Sequence, residues 1–208
     1  MNKKTTILFD FDGTLADSLH RLLDISNSFA DEYGYRKVKQ EEIPYFRTKS
    51  TLETFRELKI PLLKVPVIAR RVKKTFQREA HLSQPFAGMY QVLNQLSEKY
   101  ALGILTSNSQ PNVHKFLVQH DLAIFAFIYT SSNIFGKSSV LKRIVRERNL
   151  ELNYIIYVGD EMRDIEAARQ TGIEVVAVSW GANTKKALAA LRPTYLVDKP
   201  SELLSLLA

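Results

Sequence analysis

Short apolar runs alternate with amphipathic stretches along the second half of this chain. Ala101 to Thr106, Ile124 to Thr130, Tyr154 to Val158 and Ile173 to Val178 are nearly continuous in apolar character, the pattern of strands covered on both faces of a parallel sheet. Between and after them, Pro111 to Gln119, Ser138 to Asn149, Met162 to Thr171 and Asn183 to Leu191 carry helical periodicity with suitable start and stop residues, Gly172 closing one of them. Thr5 to Asp10 supplies a further strand near the start. Such alternation predicts an α/β fold, a doubly wound Rossmann-like core of three layers with a parallel sheet and right-handed crossovers.

The pattern changes between Asp17 and Gln84. Amphipathic helical stretches appear at Ser18 to Tyr33, Thr51 to Leu58 and Val67 to Ala80, interrupted near Pro44, Pro61 and Pro66. Residues 15–84 therefore read as an all-helical insertion, with residues 1–14 and 85–208 forming the core. Leaving the core directly after the first strand and returning near Pro85, the insertion should stand over the carboxyl end of that strand, where a lid belongs.

Composition narrows the setting. The 208 residues are 45% hydrophobic and 25% charged, enough for one buried core with an insertion and ordinary for a globular protein. With no cysteine, disulfides, thiolate catalysis and cysteine-ligated zinc are excluded. Asp10 and Asp12 cut the apolar run behind the basic Met1-Asn2-Lys3-Lys4 too short for a signal-peptide core, and the longest apolar stretch, Leu122 to Tyr129, is too short to cross a bilayer. A cytoplasmic protein without a membrane partner is expected. The net charge of +7 is concentrated between Leu15 and Gln84, which holds 14 Lys/Arg against 9 Asp/Glu. That surface could attract anionic small molecules, although Arg70, Arg71, Lys73 and Lys74 read most simply as a solvated helix face.

Four polar strings stand out against this background: Phe9-Asp10-Phe11-Asp12-Gly13-Thr14, Leu105-Thr106-Ser107-Asn108, Lys137, and Val158-Gly159-Asp160-Glu161 followed by Asp164. In extended chain, residues i and i+2 share a side, so Asp10 and Asp12 should point together while the two phenylalanines pack the other way. Paired carboxylates persist only around a cation or with one of them protonated. Asp10, Thr106 and Asp160 each fall at the end of a predicted strand, the edge at which open parallel sheets bind ligands. Taken singly, most of these residues have plainer readings: Asp160 as a helix N-cap, Asp164 as a surface carboxylate, Lys137 as a solvated lysine, Thr106-Ser107-Asn108 as a strand-to-helix turn. Only the Asp10 string favours function unaided, because burying two carboxylates beside aromatics costs about several kcal/mol per ion. The histidines His20, His81, His114 and His120 have no ligand-like spacing.

Taken together, the four strings resemble the motifs of the haloacid dehalogenase superfamily, in the branch of phosphoglycolate phosphatase-like enzymes with a helical cap. The resemblance implies a phosphatase in which Asp10 is the nucleophile that forms an aspartyl-phosphate. It implies Mg²⁺ as cofactor, held by Asp10, the backbone carbonyl of Asp12 and Asp160. Asp12 would be the general acid and then the base, with a pKa raised by crowding from Asp10 and lowered by the metal. Thr106, Ser107, Asn108 and Lys137 would bind the phosphoryl group, and Glu161 and Asp164 would orient the metal ligands or bound water. The family lysine is often followed by proline, whereas Ser138 follows Lys137 here, which leaves Lys142 as a second candidate. Arg47, in a loop-like stretch of the insertion, is a candidate substrate contact. The implied partner is a small phosphorylated substrate. The same motifs would serve a phosphotransferase or mutase of the β-phosphoglucomutase type. A receiver-like signalling module is disfavoured by the insertion, and a nucleic-acid binder by the lack of any helix-turn-helix or aromatic-basic interleaving. Oligomeric state and the substrate itself stay open at this level.

Overall fold

In a computed structural model, residues 5–79, 83–131 and 136–207 are described, the side chains of 77–79 excepted. The chain runs β1 (Thr6–Phe9), β2 (Ala16–Asp17), α1 (Leu19–Ser28), α2 (Ala30–Tyr33), α3 (Ile43–Phe46), α4 (Thr51–Glu57), α5 (Val65–Glu79) and β3 (Gln84–Pro85). It continues with α6 (Met89–Lys99), β4 (Ala101–Thr106), α7 (Gln110–Gln119), β5 (Phe125–Thr130), α8 (Lys137–Glu147) and β6 (Ile155–Gly159). Last come α9 (Met162–Thr171), β7 (Glu174–Val178), α10 (Lys185–Ala190), β8 (Tyr195–Val197) and α11 (Glu202–Leu207). Ala80 and His81, named in the sequence reading, lie outside the described residues, as does the Met1 to Lys4 stretch.

Six strands form one sheet in the order β5-β4-β1-β6-β7-β8, and every pairing in it is parallel. Alternation along each strand divides the core in two. Ile7, Phe9, Leu102, Ile104 and Val158 face a layer built from α6, α7 and α11, whereas Leu8, Leu105, Ile155 and Tyr157 face α8, α9 and α10. This is the expected three-layer Rossmann-like α/β architecture. Order reverses beside β1, so the carboxyl ends of β1, β4 and β6 meet at a topological switch point, where open sheets form ligand crevices.

The sequence reading assigns five strands and leaves the sixth out. β8 is three residues long and lies between Pro193 and Pro200, too short to display a period. α6 is likewise unassigned, although Met89, Val92, Leu93 and Leu96, all buried, keep an i, i+3, i+4, i+7 spacing. The predicted helix from Asn183 starts later: Thr184 caps α10 by accepting from the Ala187 amide at 3.3 Å. Pro44 and Pro66 open helices instead of breaking them, since the second helical residue has no partner for an amide hydrogen.

Between β2 and β3 the segment is helical, and these two strands pair antiparallel, Ala16 with Pro85 and Asp17 with Gln84. Both ends of the helical segment thus leave the core side by side. Among the described residues no helix is long and apolar enough to cross a membrane.

Phe11 and Phe116 illustrate how the core supports the site: their rings meet edge to face at 5.0 Å, directly beneath the loop that carries Asp10 and Asp12. Replacing Phe116 by alanine should lower the unfolding free energy by about 3–5 kcal/mol. Urea denaturation monitored by circular dichroism checks it, and a loss below about 1 kcal/mol would contradict the packing described.

Candidate active site

β1 ends at Phe9 and delivers Asp10 to the switch point, where its amide donates to the Val158 carbonyl of β6 at 2.8 Å. One oxygen of the Asp10 carboxylate accepts the Phe11 amide at 2.8 Å and the other accepts Lys137 Nζ at 2.6 Å. Lys137, the first residue of α8, is 2% exposed and also donates to Asp164 Oδ1 at 2.5 Å. Tyr157 donates its hydroxyl to the same Asp164 oxygen at 3.0 Å. Far from being surface groups, Lys137 and Asp164 are buried against each other.

Asp160 follows β6 and is fully buried. The helix cap of α9 is its neighbour Glu161, whose amide donates to Asp164 Oδ2 at 3.1 Å. That leaves the Asp160 carboxylate for other work: it accepts the Thr14 hydroxyl at 2.8 Å and the Ala182 amide at 2.6 Å. Two glycines make room for it. Gly13 has φ of +80°, and a Cβ on either Gly13 or Gly181 would collide with the Asp160 carboxylate. The loop from Ser179 to Asn183 is absent from the sequence reading of the site; its signal was Gly181 placed just beyond a strand. Asn183 in this loop donates to the carbonyls of Arg47 at 3.0 Å and Lys49 at 2.9 Å, joining the core to the helical segment.

Asp10, Asp160 and Asp164 each offer an oxygen within 4.8 Å of the others. Burial pushes Asp10 up to about 7, with Lys137 pulling it down and Asp164 and Glu161 pushing it up. Burial, followed by Glu161, Asp10 and Asp164, raises Asp160 well above the usual carboxylate range. For Lys137, burial opposes the charge, yet Asp10 and Asp164 outweigh it and hold the ammonium above its ordinary value. One lysine faces three buried carboxylates, and without a further cation the raised pKa values of Asp10 and Asp160 favour their protonated forms. An all-oxygen, all-acidic donor set of this kind fits a hard divalent cation such as Mg²⁺.

Asp12 sits apart from that trio. Three residues beyond β1 and just ahead of the turn at residues 13–15, its carboxylate accepts Ser18 Oγ at 2.7 Å and Asn108 Nδ2 at 2.9 Å. Its pKa is raised chiefly by burial, with Ser18, Asn108 and Lys137 working against the rise. Crowding by Asp10, the expected cause, is not the leading one. Thr106 ends β4 and its hydroxyl accepts the Asn108 amide at 2.8 Å. Ser107 Oγ is buried and has no hydrogen-bond partner among the described residues. Glu161 pairs with Arg163 and receives a 3.5 Å contact from the Thr51 hydroxyl.

A cavity of about 320 Å³ opens on Asp12, Ser107, Asn108 and Glu161 and extends between the helices of the insertion. Arg47 does not line it. It lines a neighbouring cavity of about 390 Å³, where its Nη2 donates to the Ser179 carbonyl at 3.0 Å and its Nε is buried without a hydrogen-bond partner among the described residues. Lys142 lies on the same helix as Lys137 but is exposed.

Removing the cation from this cluster should be costly even without ligand. Lys137→Met would strand buried carboxylates and lower the unfolding free energy in metal-free buffer by about 3–5 kcal/mol, as read by urea titration. A change under about 1 kcal/mol would mean that Lys137 does not hold the cluster together.

Comparison with known proteins agrees with this geometry. The family model described as haloacid dehalogenase-like hydrolase matches residues 7–178. Among curated relatives, phosphoglycolate phosphatase of Synechococcus elongatus is 36% identical over 200 residues, covering 95% of this chain and 94% of that protein. Pyrophosphatase PpaX of Bacillus mycoides is 25% identical over 213 residues, covering 99% and 98%. A haloacid dehalogenase-like hydrolase from Streptococcus pneumoniae has the same fold, with a TM-score of 0.83 at 24% identity and full coverage of both chains. A buried acidic cluster at the switch point, reached by residues within the matched span, thus accompanies a family match over most of the chain: this protein belongs to the haloacid dehalogenase-like hydrolases.

Proposed function

We propose that this protein is a Mg²⁺-dependent phosphatase that hydrolyses a small phosphorylated metabolite through an aspartyl-phosphate on Asp10. The observation that carries the reading is the division of labour between two neighbouring aspartates. Asp10 is bonded to a buried lysine and belongs to the acidic trio, whereas Asp12 is held by two neutral donors at the mouth of the cavity. Two carboxyl groups in such different surroundings suit two different roles.

In the first step an Asp10 carboxylate oxygen attacks phosphorus. The bond to the leaving oxygen breaks, its electron pair goes to that oxygen, and Asp12 delivers the proton. Burial already favours the protonated form of Asp12. In the second step Asp12 takes a proton from water as the water attacks the aspartyl-phosphate, which releases inorganic phosphate and restores both residues. Lys137 bridges the nucleophile and the phosphoryl oxygens as a point charge, and the unpartnered Ser107 hydroxyl is available to a phosphoryl oxygen from the Thr106-Ser107-Asn108 turn. Asp10, Asp160 and the Asp12 carbonyl would hold Mg²⁺, with Asp164 and Glu161 orienting that shell. The ion supplies charge neutralisation that lets a carboxylate approach a phosphate. Residues 15–84 would act as a cap over the cavity, excluding water when closed.

The curated relatives support the substrate class, since one is named for phosphoglycolate and another for pyrophosphate. Asp10→Asn should lower turnover of p-nitrophenyl phosphate by about 10³-fold or more with the circular dichroism spectrum unchanged. Wild-type turnover in that variant would remove Asp10 as nucleophile. Chelation should abolish activity, Mg²⁺ should restore it, and Ca²⁺ should restore it poorly, because its looser coordination misplaces the attacking oxygen. Equal rates with both ions would contradict the positioning argument. Release of inorganic phosphate, rather than an isomerised ester, separates hydrolysis from phosphoryl transfer.

A further inference from the structure

The wall of the 320 Å³ cavity is mostly apolar, formed by residues such as Leu19, Leu22, Phe55, Val72 and Phe76. Apart from Ser107, its neutral polar groups are committed to protein partners. Ser26 donates to the Leu22 carbonyl at 2.7 Å, Tyr35 donates to the Ser26 carbonyl, and Asn27 makes both of its side-chain bonds to the Val38 backbone, at 2.8 and 2.9 Å. Arg36 at the rim is paired with Glu42 at 2.6 Å, and Arg163 is paired with Glu161.

Lys73 differs from all of these. It projects from α5 into the same cavity and is half-buried. Among the described residues no carboxylate pairs with it. Its basic neighbours on the helix do not share this position: Arg70, Arg71 and Lys74 are exposed, and Arg71 is paired with Glu32 and Tyr33. Burial, then the nearby Arg163 charge, lowers the Lys73 pKa, with only Asp12 acting in the other direction. A partly desolvated ammonium with no carboxylate paired to it, lining the same cavity as Asp12, is stabilised by an anion arriving with the ligand.

We infer that Lys73 is a specificity-determining residue that binds a second anionic group on the leaving group of the substrate. This rests on the phosphatase reading and narrows it: the substrate is a phosphate ester or anhydride whose short leaving group carries a carboxylate or is itself a phosphate. Hydroxyl-rich sugar phosphates fit poorly, because a polyol would bury hydroxyls against a mostly apolar wall on which Ser26, Asn27 and Tyr35 are already taken.

The test compares kcat/KM for 2-phosphoglycolate and inorganic pyrophosphate, each against ethyl phosphate and glucose 6-phosphate, in wild type and in Lys73→Met and Lys73→Arg, all with Mg²⁺. Wild type should prefer at least one two-anion substrate over ethyl phosphate, and the carboxylate and phosphate arms identify which anion Lys73 reads. Lys73→Met should cut that preference by about tenfold or more, the scale of one lost charge-assisted bond, mainly through KM, and Lys73→Arg should recover most of it. Any effect of Lys73 on the acidity of Asp12 bears alike on 2-phosphoglycolate and ethyl phosphate, whose leaving groups are both alkoxides, so that ratio isolates the anion contact. An unchanged ratio in a folded Lys73→Met protein, or a wild-type preference for glucose 6-phosphate, overturns the inference while leaving the phosphatase reading intact. If wild type hydrolyses none of the four and no aryl phosphate, the phosphatase reading itself fails.

Discussion

Three carboxylates buried in one place, with one lysine between two of them, set the terms for the rest of this molecule. Asp10, Asp160 and Asp164 approach to within 4.8 Å, and Lys137 reaches two of them with bonds of 2.6 and 2.5 Å. Charge of that density in an apolar interior is unstable unless each oxygen is satisfied and more positive charge can be recruited. Every nearby feature addresses that need. Thr14 and the Ala182 amide serve Asp160, Tyr157 and the Glu161 amide serve Asp164, and the Phe11 amide serves Asp10.

The sheet makes the cluster possible. Parallel pairing of β1 with β4 on one side and β6 on the other brings the ends of three strands to one edge, although Asp10 and Asp160 are far apart in the chain. The apolar layers on both faces hold those ends rigidly, and the edge-to-face pair of Phe11 and Phe116 anchors the acidic loop from below. The proposed site lies at the boundary between this edge and the helical segment. Asn183 and Arg47 tie the two together through backbone carbonyls on opposite sides, while the cavity that opens on Asp12 lies between them.

Much of this was legible in the sequence, and the omissions have physical reasons. The strand ends announced Asp10, Thr106 and Asp160, because apolar runs that stop at polar residues mark the edge of a parallel sheet, whereas Lys137, which opens α8, was marked only by the family resemblance. β8 went unread because three residues cannot show a period, whereas α6 had a readable pattern in Met89, Val92, Leu93 and Leu96. Asp12 lies beyond the reach of strand alternation: β1 stops at Phe9, and Ser18 and Asn108 hold its carboxylate. Lys73 could not be singled out at all. Within Arg70-Arg71-Val72-Lys73-Lys74 the charges are alike, and only the packing of α5 decides that one of them turns toward the cavity.

The central claim is that the acidic cluster is a single divalent-cation site at the sheet edge. Anomalous diffraction from crystals grown with Mn²⁺ in place of Mg²⁺ tests it most directly. One strong peak bonded to both the Asp10 and Asp160 carboxylates is the predicted result. A cluster without anomalous density, or an ion bound only elsewhere on the protein, would contradict the account.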